Sequence, residues 1–261
     1  MVRALLASPL GFLIGLSLGA LGGGGSILAV PALVYAAGQD PKGATTTSLV
    51  LVTITALIGI IPHWRAGRVR LTAGTVFGLA GIGGSLSGSA WNETVDADVL
   101  LLAFSVLMSV AAYAMWRRLA TRTPTDVPTE AVAVRLDATT AAKVVVAGSF
   151  IGLLTGFFGV GGGFVIVPAL VLALGFTMPE AVGTSLLVIA VNSTVALATR
   201  LPGGSIEWGT VVPFTIANLI GVFIGSRLAG TRDPSFLQKW FIGFLVVIAF
   251  YTATSSILAL I

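Results

Sequence analysis

Two stretches of this 261-residue chain, residues 4–39 and 144–179, run 36 residues each without a charged side chain. At about 1.5 Å per residue, an unbroken helix of that length would reach about 54 Å, far beyond a bilayer core of roughly 30 Å. Each stretch must therefore fold back on itself. Each is also interrupted near its middle by glycine, at Gly22-Gly23-Gly24-Gly25 and at Gly159-Val160-Gly161-Gly162-Gly163. Consecutive glycines disfavour helix, and in hydrocarbon they leave backbone polar groups unpaired at several kcal/mol each. The sequence thus predicts two short apolar helices joined at each glycine run.

The remaining charges mark out six further charge-free stretches, residues 43–64, 71–92, 99–116, 181–199, 208–226 and 240–261, each the length of one membrane-spanning helix. With 56% hydrophobic and 9% charged residues, against roughly 25% charged in ordinary globular proteins, a soluble domain is excluded. The absence of cysteine removes disulfides, thiolate metal sites and cysteine nucleophiles. One histidine among ten carboxylates speaks against a metal cluster. The net charge of +4 reads as basic cytoplasmic loops and not as a nucleic-acid surface. Arg3 ahead of an apolar run mimics a signal peptide, but that run is too long and its glycine break recurs, so it reads as mature structure.

The chain is an internal duplication. Residues 19–34, GALGGGGSILAVPALV, align with residues 156–171, GFFGVGGGFVIVPALV, with 9 of 16 identical at an offset of 137. The same offset pairs Gly11 with Gly148, Gly15 with Gly152, Gly38 with Gly175, Thr47-Ser48-Leu49 with Thr184-Ser185-Leu186, and Gly84, Gly88, Ser89 with Gly221, Gly225, Ser226. Between the copies lies a hydrophilic segment with Pro124, Pro128 and several threonines. The positive-inside rule puts the loop of Arg65, Arg68 and Arg70 in the cytoplasm and the loop of Glu93, Asp96 and Asp98 outside. In the second half the basic loop is a different one, with Arg227, Arg232 and Lys239, which reverses the orientation; Arg3 alone argues against an external N-terminus. The expected fold is an all-α polytopic membrane protein of two inverted repeats, each of about five short transmembrane or re-entrant helices. Residues 1–116 form the first repeat, 117–143 a cytoplasmic connector and 144–261 the second repeat.

Broken helices deep in a membrane are a mark of transporters, and their free N-termini attract anions. The N–H groups of Gly24, Gly25 and Ser26, and of Gly161, Gly162 and Gly163, form the candidate oxyanion cradle. Close helix packing is the competing role for these glycines. Pro31 and Pro168 read as a kink or a first-turn proline. Thr47, Ser48, Thr184 and Ser185 open the following helices, as caps or as donors to the same anion. Asn192 is an amide within an apolar span, with a structural partner or the substrate as its counterpart. His63 and Arg65 are expected at a membrane edge, and Arg200 is the repeat partner of His63. The three are candidates for recruiting anions at opposite mouths, with loop anchoring as the alternative. An enzyme reading finds little support: Ser26 and His63 become Gly163 and Arg200 in the repeat, and the glycine strings match no phosphate-binding motif.

The duplicated glycine-rich segment running into VPAL, followed by a Gly-Thr-Ser helix start, resembles the sulfite exporter TauE/SafE family of membrane permeases. The resemblance covers both halves and implies movement of sulfur-containing anions such as sulfite, sulfonates or sulfoacetate across the cytoplasmic membrane, by a multi-pass secondary transporter acting as an exporter or permease. Half one departs from the pattern with Thr46 where half two has Gly183. An anion channel is the alternative, ahead of an intramembrane enzyme. The expected partners are a small organic or inorganic anion and the lipid bilayer, with no nucleic acid, no metal and no cofactor; a homodimer is left open. The charge-free spans hold no carboxylate, so a conventional Asp or Glu proton relay is absent.

Overall fold

The computed structural model describes residues 2–25, 28–29, 32–33, 37–39, 41–92, 97–121, 138–158, 163–200 and 208–260. Among these, the regular structure is all helical: α1 Val2–Leu21, a 3-10 turn Gly23–Gly25, α2 Pro41–Arg65, α3 Leu71–Asn92, α4 Ala97–Thr121, α5 Ala138–Phe158, α6 Gly163–Leu174, α7 Met178–Arg200, α8 Trp208–Thr231 and α9 Pro234–Leu260. Four apolar segments are long enough to cross a membrane: Thr46–Arg65, Met178–Val195, Val211–Thr231 and Pro234–Thr254. The apolar parts of α1 and α5, Ser8–Leu21 and Val144–Thr155, are shorter.

The arms around each break are unequal. α5 begins at Ala138, ahead of the charge-free stretch, because the Thr-Thr-Ala-Ala run before Lys143 extends it. Its partner α6 has 12 residues, about 18 Å, too short to cross a core of roughly 30 Å. α6 is instead protein-enclosed. Gly163 to Pro168, Leu170 and Val171 are all buried, and Phe164 meets Phe104 of α4 edge-on with ring centroids 4.9 Å apart. A helix apolar on every face belongs in a core. Pro168 falls inside α6, past the first turn; Pro31 lies outside the described residues. At the connector, α4 continues to Thr121 and α5 starts at Ala138, so helix claims both ends of the segment.

The halves use their shared sequence in the same way. Gly38 and Gly175 both adopt φ near +72°. Gln39 N–H donates to the Leu33 carbonyl and Phe176 N–H to the Leu170 carbonyl, each at 3.1 Å. This is one Schellman stop made twice, and it requires a residue at ease in the left-handed region. The packing repeats too. Gly84 of α3 rests on the Ser149 carbonyl and Leu153 amide of α5, while Gly221 of α8 rests on the Phe12 carbonyl and Leu16 amide of α1. Each contact of one pair is the other displaced by 137 residues, so each half lends its first helix to the other half.

Neighbour contacts also give helix directions. α1 runs parallel to α8, with Gly11 at Phe214, Gly15 at Asn218 and Gly19 at Val222. α8 runs parallel to α2, with Val222 at Gly59 and Gly230 beside the Arg68 guanidinium. α2 is antiparallel to α7, with Gly59 at Leu186 and His63 at Gly183. α7 parallels α3, and α3 parallels α5, through Gly74 at Thr184, Gly78 at Val188 and Gly81 at Gly148 and Gly152. Following that chain of neighbours, α1 and α5, the equivalent first helices, point in opposite directions. Arg118 at the end of α4 approaches Gly175, and Arg68 lies by Gly230, which gathers basic loops at one end of the bundle. All five tryptophans, Trp64, Trp91, Trp116, Trp208 and Trp240, sit within a few residues of helix ends and are exposed, as in the aromatic belts of bilayer interfaces.

This packing separates two adjacent glycines. A Cβ at Gly84 overlaps α5 backbone, whereas one at Gly83 meets nothing within 4 Å. Gly84→Ala is expected to lower stability by about 1–3 kcal/mol in detergent thermal unfolding, and Gly83→Ala to leave it unchanged.

Candidate functional site

α1 stops because Gly22 turns to φ +76°, a conformation strained for any residue with a side chain. Its N–H closes the last turn on the Leu18 carbonyl at 2.9 Å. The next residue carries the central observation. A Cβ at Gly23 would overlap Cα, C and O of Gly163, the first residue of α6. The break of one half therefore touches the break of the other, backbone to backbone. Gly22 lies against the start of α7 and the flank of α6: its Cβ would stand 2.5 Å from Ser185 Oγ, 2.8 Å from Val167 Cγ2 and 3.2 Å from Val182 Cα. The leading amides of α6 have no partner within their own helix, so its partial positive end opens at this junction.

The expected site residues separate into groups. Gly24 lies in the 3-10 turn. Gly25 turns back on α1, where a Cβ would meet the Ile14 carbonyl and Leu18, so its missing side chain serves packing. Gly163 is buried at the junction, while Ser26, Gly161 and Gly162 lie outside the described residues. Ser185 is fully buried against Gly22, its hydroxyl donating to the Val182 carbonyl at 2.8 Å. Thr184 faces elsewhere: its Oγ1 accepts the Arg70 N–H at 3.1 Å, and its methyl lies toward Gly74 of α3. Thr47 and Ser48, the repeat mates of Thr184 and Ser185, are buried, and Thr47 Oγ1 has no hydrogen-bond partner. Asn192 is two turns, about 10 Å, beyond Ser185 and faces Gly81 of α3, with its Oδ1 buried and unpartnered. It does not join the junction.

His63, two residues from the end of α2, is enclosed by protein and 1% exposed. Its Nε2 lies 3.2 Å from the Gly19 carbonyl, one of the last-turn acceptors that α1 cannot satisfy itself. A carbonyl only accepts, so Nε2 carries the hydrogen and Nδ1 is the bare nitrogen, buried and unpartnered. The helix pattern of α2 placed His63 near its end, but not the α1 terminus and the α7 start that fold over it. Arg65 is exposed at the end of α2, and Arg200 closes α7 with its side chain outside the described set.

One polar cluster escaped the sequence reading. Arg70, in the α2–α3 loop, pairs with Glu180 in the first turn of α7, Nη2 to Oε1 at 2.5 Å and Nε to Oε1 at 3.1 Å. The other carboxylate oxygen accepts the Thr177 N–H at 3.0 Å and the Thr177 hydroxyl at 2.9 Å. Thr177-Met178-Pro179-Glu180 is a capping box with an acidic third position, and that spacing was a readable signal. Asn218 was readable too, as a second amide within an apolar span. It is 2% exposed, with Oδ1 unpartnered and facing Gly15 of α1.

A polytopic helical protein whose halves exchange first helices and bring two broken helices into contact belongs to the architectural class of membrane permeases. Sequence comparison gives the family. Residues 7–252 match the family described as sulfite exporter TauE/SafE, and the chain belongs to it. It is 32% identical over 249 residues to a "Probable membrane transporter protein" of Xylella fastidiosa (strain 9a5c), covering 94% of this chain and 93% of the relative. It is 26% identical over 231 residues, 87% and 91% of the two chains, to "Probable membrane transporter protein YdhB" of Bacillus subtilis (strain 168). Against "Probable membrane transporter protein YfcA" of Escherichia coli (strain K12) it is 26% identical over 246 residues, 91% and 86% of the two.

Glu180 both caps α7 and holds Arg70. Glu180→Ala is expected to destabilise the protein by about 1–3 kcal/mol, and Glu180→Gln, which keeps the acceptor for Thr177, by less. Thermal unfolding of the two variants side by side checks the order.

Proposed function

We propose that the protein is a secondary transporter of sulfur-containing anions, such as sulfite, sulfonates or sulfoacetate, in the cytoplasmic membrane, and that the anion binds where the two helix breaks meet. The observation that carries this is the contact of Gly23 with Gly163, with Gly22 against Ser185. Non-helical backbone deep in a membrane is stable only when enclosed by protein or lining a wet cavity. The N-terminus of α6 then offers partial positive charge to an anion without a buried Lys or Arg, which suits a charged substrate that must also be released. The family name and the relatives' names support the class; the anions are those of the family name and its chemical neighbours. The opposed directions of α1 and α5 support inverted repeats, and with them alternating access around one site in preference to a channel.

Ser185 at the junction and its repeat mate Ser48 are the hydroxyls to test. Ser185→Ala and Ser48→Ala are each expected to weaken sulfoacetate binding by about 1.5–3 kcal/mol with little change in unfolding temperature. Unchanged affinity in both variants would place the anion elsewhere.

The topology follows from the basic loops gathered at one end. Both termini are external and the connector cytoplasmic. In this cysteine-free chain, a cysteine replacing Ser205 is expected to react with an impermeant reagent from outside, and one replacing Thr125 only after the membrane is opened. The reverse pattern defeats the inverted arrangement.

A further inference from the structure

We propose that His63 is the proton-binding site that couples anion movement to protons, its Nδ1 lone pair taking up one proton when an oxyanion occupies the breaks and releasing it as the anion leaves. The inference rests on the transport reading above. Three observations on different elements converge on this residue. His63 is buried, and its Nε2–H caps the Gly19 carbonyl, one turn before the Gly22 break. Its Cβ lies against Gly183, two residues ahead of Ser185, where an added Cβ would stand 3.1 Å away. Its Nδ1 is buried with no partner. The imidazole thus bridges the end of α1 and the start of α7, which lies against Gly22, with one nitrogen committed to structure and the other vacant.

The chemistry is simple. His63 is the one histidine in the chain, and imidazole is the side chain that ordinarily gains and loses a proton near neutrality. A proton added at Nδ1 creates a cation inside the membrane, which only a nearby anion offsets. Anion and proton therefore stabilise one another, and by linkage each raises the other's occupancy. The charged neighbours act around this pair. Arg68 donates its N–H to the His63 carbonyl at 2.9 Å and lays its guanidinium by Gly230. Arg65 is exposed on the same helix. Glu180 on α7 is held by Arg70, and Arg227 on α8 is exposed. The described part of α1 facing His63 carries no charge. None of these supplies Nδ1 with a partner, and the bound anion does.

Two measurements test the proposal. A protein labelled with 15N-histidine gives one imidazole signal from position 63, in a preparation with any affinity tag removed. Adding sulfoacetate at constant pH, between about pH 6 and 8 where its charge is fixed, is expected to convert that signal toward imidazolium. In proteoliposomes, an imposed pH gradient is expected to change wild-type sulfoacetate flux several-fold, with protons entering alongside. His63→Gln retains an N–H for Gly19 but cannot titrate. Its ratio of flux with and without the gradient is expected to fall to one, a readout that a slower transporter alone does not alter. A His63 signal indifferent to bound sulfoacetate, or an undiminished ratio in His63→Gln, overturns the proton role. Absence of sulfoacetate binding and flux in the wild type overturns the transport reading itself.

Discussion

Hydrocarbon offers nothing to an unpaired N–H or C=O, and this structure is organised around two places where the helix stops regardless. The cost of an unsatisfied backbone group there is several kcal/mol, comparable to a large part of a protein's net stability. Lipid must therefore be kept away from both breaks. The first six residues of α6, Gly163 to Pro168, are buried, with Phe104 of α4 against Phe164. Gly19 at the end of α1 is given a hydrogen bond by His63. Leu86 of α3, Val146 of α5 and Val247, Phe250 and Tyr251 of α9 are among the large exposed apolar side chains, for which lipid is the solvent.

Enclosure explains the glycine content away from the breaks. Without a hydrophobic drive between helices in lipid, close backbone approach supplies dispersion and weak C–H···O contacts. Gly11, Gly15 and Gly19 of α1 meet α8 in this way, and Gly148 and Gly152 of α5 meet α3. Because these pairs join opposite halves, neither half completes a junction alone. The helix that ends in one break is clamped along its length to the other repeat, so a displacement of one half must move the other half's break.

Helix content, the glycine stop of α1 and the repeat were legible because each rests on a local rule: charge spacing against bilayer thickness, glycine against helix, and an ungapped offset. The site was legible only as a neighbourhood. The offset pairs Gly22 with Gly159 and Ser26 with Gly163, and does not say that Gly23 touches Gly163; that contact depends on the halves exchanging first helices, which no local pattern encodes. Thr184 and Ser185 are adjacent in sequence, yet on a helix they point about 100° apart, so one serves the Arg70 loop and the other the break. His63 looked interfacial because Trp64 and Arg65 follow it. Its burial comes from α1 and α7, remote in sequence.

The two copies also differ in an ordered way. Positions that define backbone are kept: Gly11, Gly15, Gly38, Gly84 and Gly88 recur at the offset, as do the proline and the Schellman stop. Thr47-Ser48 and Ser89 recur as well, whereas several positions that carry a charge or an amide diverge. Arg70 becomes Glu207, Glu180 replaces Gly43, His63 becomes Arg200, Asn192 replaces Thr55 and Asn218 replaces Gly81. A two-fold scaffold needs identical close contacts in both halves, because a Cβ at a glycine contact would part the helices. The membrane it sits in is not two-fold. One end of the bundle gathers the basic loops and the other does not, so the groups near each mouth meet different potentials and different solutions. Symmetric backbone and asymmetric chemistry thus coexist in one fold. The divergent positions, His63 first among them, are where direction and coupling can be set without disturbing the fold.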